Sequence, residues 1–251
     1  MMKPEVSVII PAYNSEKTIE RAIRSALDQV NVEVELIVVN DCSSDETYHI
    51  IKGLAEIDER IKLYSNNQNL GVAQTRNIGC SHAKGKYIAF LDSDDFWELD
   101  KLNTQLEVMK SEHAQLSYTS YGIIRDNNKN KFTVYQVPTK IVYQQLLKEN
   151  VIGCSTVVVE SSLMRAHVFQ TDYFHEDYAL WLELLRTGCI AAGINRPLAY
   201  YRKGGRSANK LKAAKNRYVI YRRLEKLSIV QSLYYMAHYL IAGILKSLSA
   251  C

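Results

Sequence analysis

The residues Asp92-Ser93-Asp94-Asp95 place three carboxylates within four positions, directly after the apolar run Tyr87-Ile88-Ala89-Phe90-Leu91. Carboxylates this close repel one another, and no run of basic residues follows to offset them. Hard cations such as Mg²⁺ and Mn²⁺ prefer such oxygen ligands, and one or two carboxylates plus substrate phosphates often complete their shell. The pattern points to a divalent metal acting on a phosphate-bearing molecule. A solvated acidic turn or a helix cap is the bland alternative, since D-x-D is short enough to recur by chance.

The elements that would position these residues can be read from periodicity. Residues 6–10 form a short β-branched run ended by Pro11, which predicts a buried strand. Ile19, Ala22, Ile23, Ala26, Leu27 and Val30 recur on one helical face. Residues 35–39 predict a second strand, and Ser43 with Glu46 has the spacing of a capping box opening a helix. A third strand at 61–64, a helix at 72–83 and a fourth strand at 87–91 continue the alternation. Such alternation implies parallel strands with helices on both faces. Ligands of such sheets collect at the carboxyl ends of the strands. Pro11-Ala12-Tyr13-Asn14, Asn40-Asp41, Asn66-Asn67 and Asp92-Ser93-Asp94-Asp95 all fall there, so they should share one cleft. Asp41 could equally be a turn residue, and Arg76 could simply pair with Asp41 or Asp94.

The second half is less regular. Residues 100–112, 139–148 and 175–187 read as helices, the last ending at Gly188. Residues 115–124 and 131–137 read as strands around an Asn-rich turn, and 154–160 is a β-branched run. From residue 208 onward the pattern is helical. Glu176 and Asp177 would suit the positive end of a helix dipole. His175 has no second histidine at ligand spacing, Trp181 is expected in the core, and Tyr118, Tyr121 and Tyr143 are expected to be exposed scaffold residues, with the lining of an acceptor groove as the alternative.

Bulk properties narrow the classes. The 251 residues, 47% apolar and 23% charged, suffice for one large α/β domain with an appended piece. Five cysteines form no CxxC pair and predict neither a disulfide framework nor a zinc site, hence a reducing, cytoplasmic setting. No leader peptide is expected, and no stretch reaches the roughly 20 apolar residues of a spanning helix. From Arg202 to Lys226 ten basic residues face Glu225 alone. Besides a solvated helix face, this run could meet a diphosphate or anionic lipid headgroups. The apolar residues 233–245, broken only by His238, are too short to cross a bilayer. They predict either packing on the chain's own domain or a second subunit, or a helix lying in the membrane interface.

Five segments carry a resemblance. Val6-Ser7-Val8-Ile9-Ile10-Pro11-Ala12-Tyr13-Asn14 and Val38-Val39-Asn40-Asp41-Cys42-Ser43-Ser44-Asp45 resemble the opening of family-2 glycosyltransferases. Asn69-Leu70-Gly71, running on to Arg76-Asn77, is similar to that family's N-x-G-x-x-x-x-R-N segment. Phe90 to Asp95 is similar to its D-x-D, and Glu176-Asp177 with Leu180-Trp181-Leu182 to its E-D-x-x-L/F-W-L segment. Residues 150–157 and Tyr200-Tyr201-Arg202 point to the branch that builds bacterial surface polysaccharides, including teichuronic acid. The loop 203–207 departs from the histidine-containing version common in relatives, so which basic group meets the diphosphate is open.

The resemblance implies an α/β, GT-A (Rossmann-like) fold, with a mostly parallel sheet flanked by helices and a C-terminal helical extension. Residues 1–205 would form the glycosyltransferase domain, with a nucleotide-sugar half at about 1–98 and an acceptor half at about 99–205. Residues 206–251 would add basic and then apolar helices. The implied reaction is inverting transfer from a nucleotide diphosphate sugar, UDP-linked by resemblance, to a hydroxyl of a polyprenyl-diphosphate-linked glycan at the inner face of the cell membrane. Nucleic acid is not an expected partner. Pro11, Tyr13, Asn14, Asp41, Arg76 and Asp92 would contact the nucleotide. Asp94 and Asp92 would serve the Mn²⁺ or Mg²⁺, Asp177 would be the general base helped by Glu176, and Arg202 or Arg206 would meet the diphosphate. A sugar-1-phosphate nucleotidyltransferase would need a glycine-rich loop after the first strand, which residues 11–14 lack. A catalytically inactive sugar-nucleotide-binding module is disfavoured by the intact Asp41, Asp94 and Asp177.

Overall fold

A computed structural model describes residues 3–124, 132–202 and 210–248. The first half alternates as predicted: β1 (Val6–Ala12), α1 (Ile19–Leu27), β2 (Val34–Asn40), α2 (Thr47–Ile57), β3 (Ile61–Ser65), α3 (Val72–His82) and β4 (Tyr87–Phe90). The strands lie in the order β3-β2-β1-β4, all parallel. Both faces are covered, because alternate side chains of each strand enter different cores. Ile9, Ile37, Val39 and Phe90 pack on one side, and Val8, Ile10, Leu36 and Val38 on the other.

Pro11 does not end β1; it pairs with Val39 inside the strand. The β4 ladder on the other side of β1 stops at Ile9–Phe90, so the missing N–H of Pro11 costs no ladder bond. The capping box expected at Ser43 and Glu46 is not formed. Ser43 Oγ instead accepts the Asn14 N–H at 3.1 Å, and Asp45 Oδ1 takes the Thr47 N–H at 3.0 Å at the start of α2.

The second half extends the same sheet. Its elements are β5 (Phe96–Trp97), α4 (Lys101–Ser111), β6 (Leu116–Ile124), β7 (Phe132–Tyr135), α5 (Tyr143–Lys148), β8 (Val158–Glu160), α6 (Ser161–Ala166), α7 (Glu176–Arg186), β9 (Ala191–Arg202), α8 (Lys210–Val219) and α9 (Ile229–Leu248). β8 runs antiparallel between β4 and β6, β9 runs parallel beside β6, and β5 and β7 pair antiparallel with β9 and β6. The result is one nine-stranded sheet. The long strand β9 escapes sequence reading. Pro197 sits in its middle, the register with β6 shifts around Thr119 to Tyr121, and period-two alternation is lost. Helix 139–148 shortens to α5, and the run 154–160 splits into a 3₁₀ turn at Cys154–Thr156 and β8. Tyr118 is fully buried rather than exposed, its hydroxyl donating to the Pro138 carbonyl at 2.8 Å, and Trp181 is core as expected.

β9 approaches the segment before α5 closely at Gly193, whose N–H donates to the Thr139 carbonyl at 2.8 Å. A Cβ here would overlap the Pro138 carbonyl oxygen and lie 2.8 Å from the Tyr118 ring. Gly193→Ala should therefore destabilise the fold by about 3 kcal/mol, measured by urea denaturation, since overpacking against backbone has no easy relief.

Candidate functional site

A cleft of about 800 Å³ opens at the carboxyl ends of β1, β2 and β4, and Pro11, Tyr13, Asn14, Asp41, Asp92, Asp94 and Arg202 all line it. Residues as far apart in the chain as Pro11 and Arg202 are thus brought together as the parallel-sheet topology demands. Tyr13 is half exposed at the mouth. Asn14, in a left-handed conformation with φ 47°, holds the next loop by accepting the Ser44 N–H at 2.9 Å.

Asp41 is almost fully buried and ties three segments together. Its Oδ1 accepts from Asn66 Nδ2 and the Leu70 N–H, both at 2.8 Å, and its Oδ2 accepts the Gly71 N–H at 2.9 Å. Gly71, at φ 81°, is where the chain turns into α3, a conformation that favours glycine. Each carboxylate oxygen has two lone pairs, so Oδ2 keeps one for a further donor in the cleft.

Three carboxylates after β4 take different environments. Asp95 is buried, and the Ser155 hydroxyl donates to its Oδ2 at 2.6 Å while accepting the Asp92 N–H at 3.0 Å. Burial, reinforced by Asp92 and Asp94, pushes the Asp95 pKa well above the ordinary carboxylate range. Asp94 lines the cleft, and its pKa is raised by burial and by Asp92, while Arg202 and Arg21 oppose the shift. Arg21 also donates to the Asp94 carbonyl at 3.0 Å. This crowding of acids is the local feature that a cation would relieve. Among the described residues no group of three candidate protein ligands closes on one point. The donor set fits a hard ion that takes one or two carboxylates and draws the rest from a bound diphosphate.

Arg76 departs from its expected place at the base. Its side chain does not line this cleft; it is 1% exposed and spans the interior. Nη2 donates to Asp92 Oδ1 at 2.5 Å and Nη1 to Glu176 Oε1 at 2.6 Å. Neither Asp41 nor Asp94 is its ion-pair partner. Burial opposes its charge, but Asp92 and the other anions facing it raise its pKa well above normal. Asn77, the next residue of the motif, exchanges two hydrogen bonds with the Phe169 backbone, both at 2.9 Å. The segment Asn69 to Asn77 is thus a set of ties to four other parts of the chain.

Glu176 opens α7, and Asp177 follows it with Oδ1 accepting the Tyr178 N–H at 2.7 Å. The Asp177 pKa is pushed up to about 6 by burial and then by Glu176, with Arg76 opposing. Arg202, exposed at the end of β9, joins the cleft wall. Arg206 lies outside the described residues. Sequence reading missed two contributors. Ser155 falls within the resembling stretch 150–157 and carries no chemical signal of its own there. Arg21 sits on a helix recognised by its apolar face and carried no signal.

The family model described as glycosyl transferase family 2 matches residues 7–170. A Bacillus subtilis protein named as a candidate teichuronic acid biosynthesis glycosyltransferase, TuaG, is 38% identical over 239 residues, 94% of this chain and 95% of its own. The Escherichia coli protein WfgD, named a UDP-Glc:α-D-GlcNAc-diphosphoundecaprenol β-1,3-glucosyltransferase, is 38% identical over 246 residues, 96% of this chain and 94% of its own. Among solved structures, a Pyrobaculum calidifontis mannosyltransferase in complex with GDP-Man and Mn²⁺ is similar at a TM-score of 0.70 and 18% identity, covering 94% of this chain and 70% of that one.

Arg76→Leu should remove the buried guanidinium that Asp92 and Glu176 share. A loss of about 3–5 kcal/mol is expected in chemical denaturation, the magnitude typical of removing one partner from a buried ion pair.

Proposed function

This chain belongs to glycosyl transferase family 2 and is a glycosyltransferase of GT-A fold, and we propose that it moves a hexose from a UDP-sugar to a hydroxyl of a lipid-linked surface glycan, inverting the anomeric centre. The uridine donor and the diphosphoundecaprenol-type acceptor are taken from what the E. coli relative is named for. The observation that carries the mechanism is the shared guanidinium of Arg76, which holds Asp92 and Glu176 in one network and so sets the acidic loop and the start of α7 at fixed separation.

In this reading residues 1–98 hold the donor, with Tyr13 against the base, the remaining lone pair of Asp41 accepting from it, and Pro11 and Asn14 shaping the loop. Asp92 orients the ribose side. Residues 99–205 hold the acceptor. Asp94, with Asp92 near it, would hold Mn²⁺ or Mg²⁺, which when bound neutralises charge on the leaving diphosphate. Arg202 adds positive potential at the same wall, which favours the departing anion. Asp177 removes the acceptor hydroxyl proton as the oxygen bonds to the anomeric carbon; the carbon–phosphate oxygen bond breaks and the nucleoside diphosphate leaves. One displacement from the face opposite the leaving group inverts configuration, and no enzyme nucleophile is required. Glu176, held by Arg76 beside Asp177, raises the proton affinity of Asp177 through its negative charge. A carboxylate with a pKa of about 6 is a stronger base than an ordinary one and is still ionised at neutral pH.

Asp177→Asn should lower turnover about 10²–10⁴-fold with UDP-sugar affinity retained. The wild-type rate should fall below pH 6, because protonation removes the base. Equal turnover by both proteins would sink the assignment. The raised folded-state pKa also has a sign for stability. Folding is favoured by protonated Asp177, and that contribution is lost as pH rises through about 6, so Asp177→Asn should melt higher than wild type at pH 7.

Chelation should abolish transfer, and Asp94→Ala should raise the Mn²⁺ concentration for half-maximal rate by about 10-fold or more, since even outer-shell changes have effects of that size. Unaltered metal dependence would remove Asp94 from this role.

A further inference from the structure

Helix α9 has two unlike sides. On the inner side Tyr235 and Met236 pack against the main core, and the Arg217 guanidinium, itself buried, lies 4.0 Å from the Tyr178 ring and 4.4 Å from the Tyr239 ring. Because Tyr178 belongs to α7, this stack fastens α9 to the helix that carries Asp177. On the outer side Ile229, Val230, Leu233, Tyr234, Leu240 and Ile241 are exposed, Val230 by 78% and Leu233 by 58%. At about 100° per residue these six fall within an arc of about 140°, a continuous apolar stripe along the helix. A stripe of this extent on a soluble surface calls for a partner.

The surrounding charge selects that partner. No Asp or Glu occurs after Glu225. Glu225 itself is buried, with Tyr143 donating to it at 2.5 Å and Arg186 within 3.6 Å. Arg223 and Lys226 are exposed at the entry to α9, and Lys148 Nζ lies 6.0 Å above the ring of exposed Tyr234. No helix among the described residues is long and apolar enough to cross a membrane. An apolar face on a segment that carries no acidic residue after Glu225, with an adjoining cationic rim, matches a bilayer surface carrying anionic headgroups. Tyrosine at the boundary, apolar at the ring and polar at the hydroxyl, fits the same interface.

We propose that α9 docks its outer stripe into an anionic lipid surface, lying in the interface plane. Since α9 is fastened through Arg217 to α7, docking would present the base-bearing end of α7 at a fixed attitude to the membrane.

The test is flotation of the full chain with vesicles of phosphatidylglycerol and phosphatidylcholine, against phosphatidylcholine alone. Wild type is expected to float with the anionic vesicles at low salt. The triple variant Leu233→Gln, Leu240→Gln, Ile241→Gln should partition about 10²-fold less, given the apolar area it removes. Arg223→Gln with Lys226→Gln should lose about 30-fold on anionic vesicles only, at about 1 kcal/mol per basic residue. The substituted side chains are exposed, so melting temperatures should match wild type and certify the fold. Equal flotation of the triple variant, or no flotation of wild type, overturns the proposal. A concentration-dependent dimer in sedimentation that the triple variant abolishes, without flotation, assigns the stripe to a second copy and overturns it too. Flotation requires no turnover, so its outcome is separate from that of the transfer reaction.

Discussion

A single buried guanidinium organises this protein. Arg76 sits inside the fold with almost no solvent, and a cation there is tolerable only if anions from the surrounding structure converge on it. They arrive from two distant places, Asp92 after β4 and Glu176 at the head of α7. Desolvating Arg76 and Glu176 is expensive, so the arrangement is weak evidence of a device for stability. Its effect is geometric. It sets the acidic loop after β4 and the head of α7 on one rigid fork with two short hydrogen bonds, and neither side can shift without breaking an ion pair to the buried guanidinium.

Asp41 plays a related part at the end of β2. Three donors from Asn66, Leu70 and Gly71 converge on its carboxylate, closing the loop that leads into α3 onto the end of β2. α3 in turn supplies Arg76 from its middle and Asn77 one residue on. The loops that bound the cleft and the helix that carries its organising cation are therefore parts of one hydrogen-bonded assembly. Such support is what holds polar side chains at defined positions before a ligand arrives.

The carboxylates show how environment divides roles among like groups. Asp95 is buried under the Ser155 hydroxyl and shifted toward its protonated form. Asp94 faces the cleft in the company of Arg21 and Arg202. Asp177 is raised only to about 6, because burial and Glu176 act against Arg76. These three acids take three different environments. Their proton affinities are thereby set apart by burial and by the charges that face each one.

The alternation of strands and helices over the first 90 residues was legible because buried parallel strands are short, β-branched and regularly spaced. The acidic cluster and the cleft at the strand ends followed from that topology. The second half was less legible. β9 passes through Pro197 and a register shift that erase alternation, and β5 is two residues long. By itself the sequence determined which residue types stand at strand ends, and hence where polar chemistry gathers, because hydrophobic periodicity is local and survives in one dimension. Only the tertiary structure decided that Arg76 serves Asp92 and Glu176, that Ser155 and Arg21 belong to the acidic loop, and that one side of α9 faces outward. Pairing of charges and exposure of faces depend on contacts between elements up to about a hundred residues apart, and no local pattern encodes the partner.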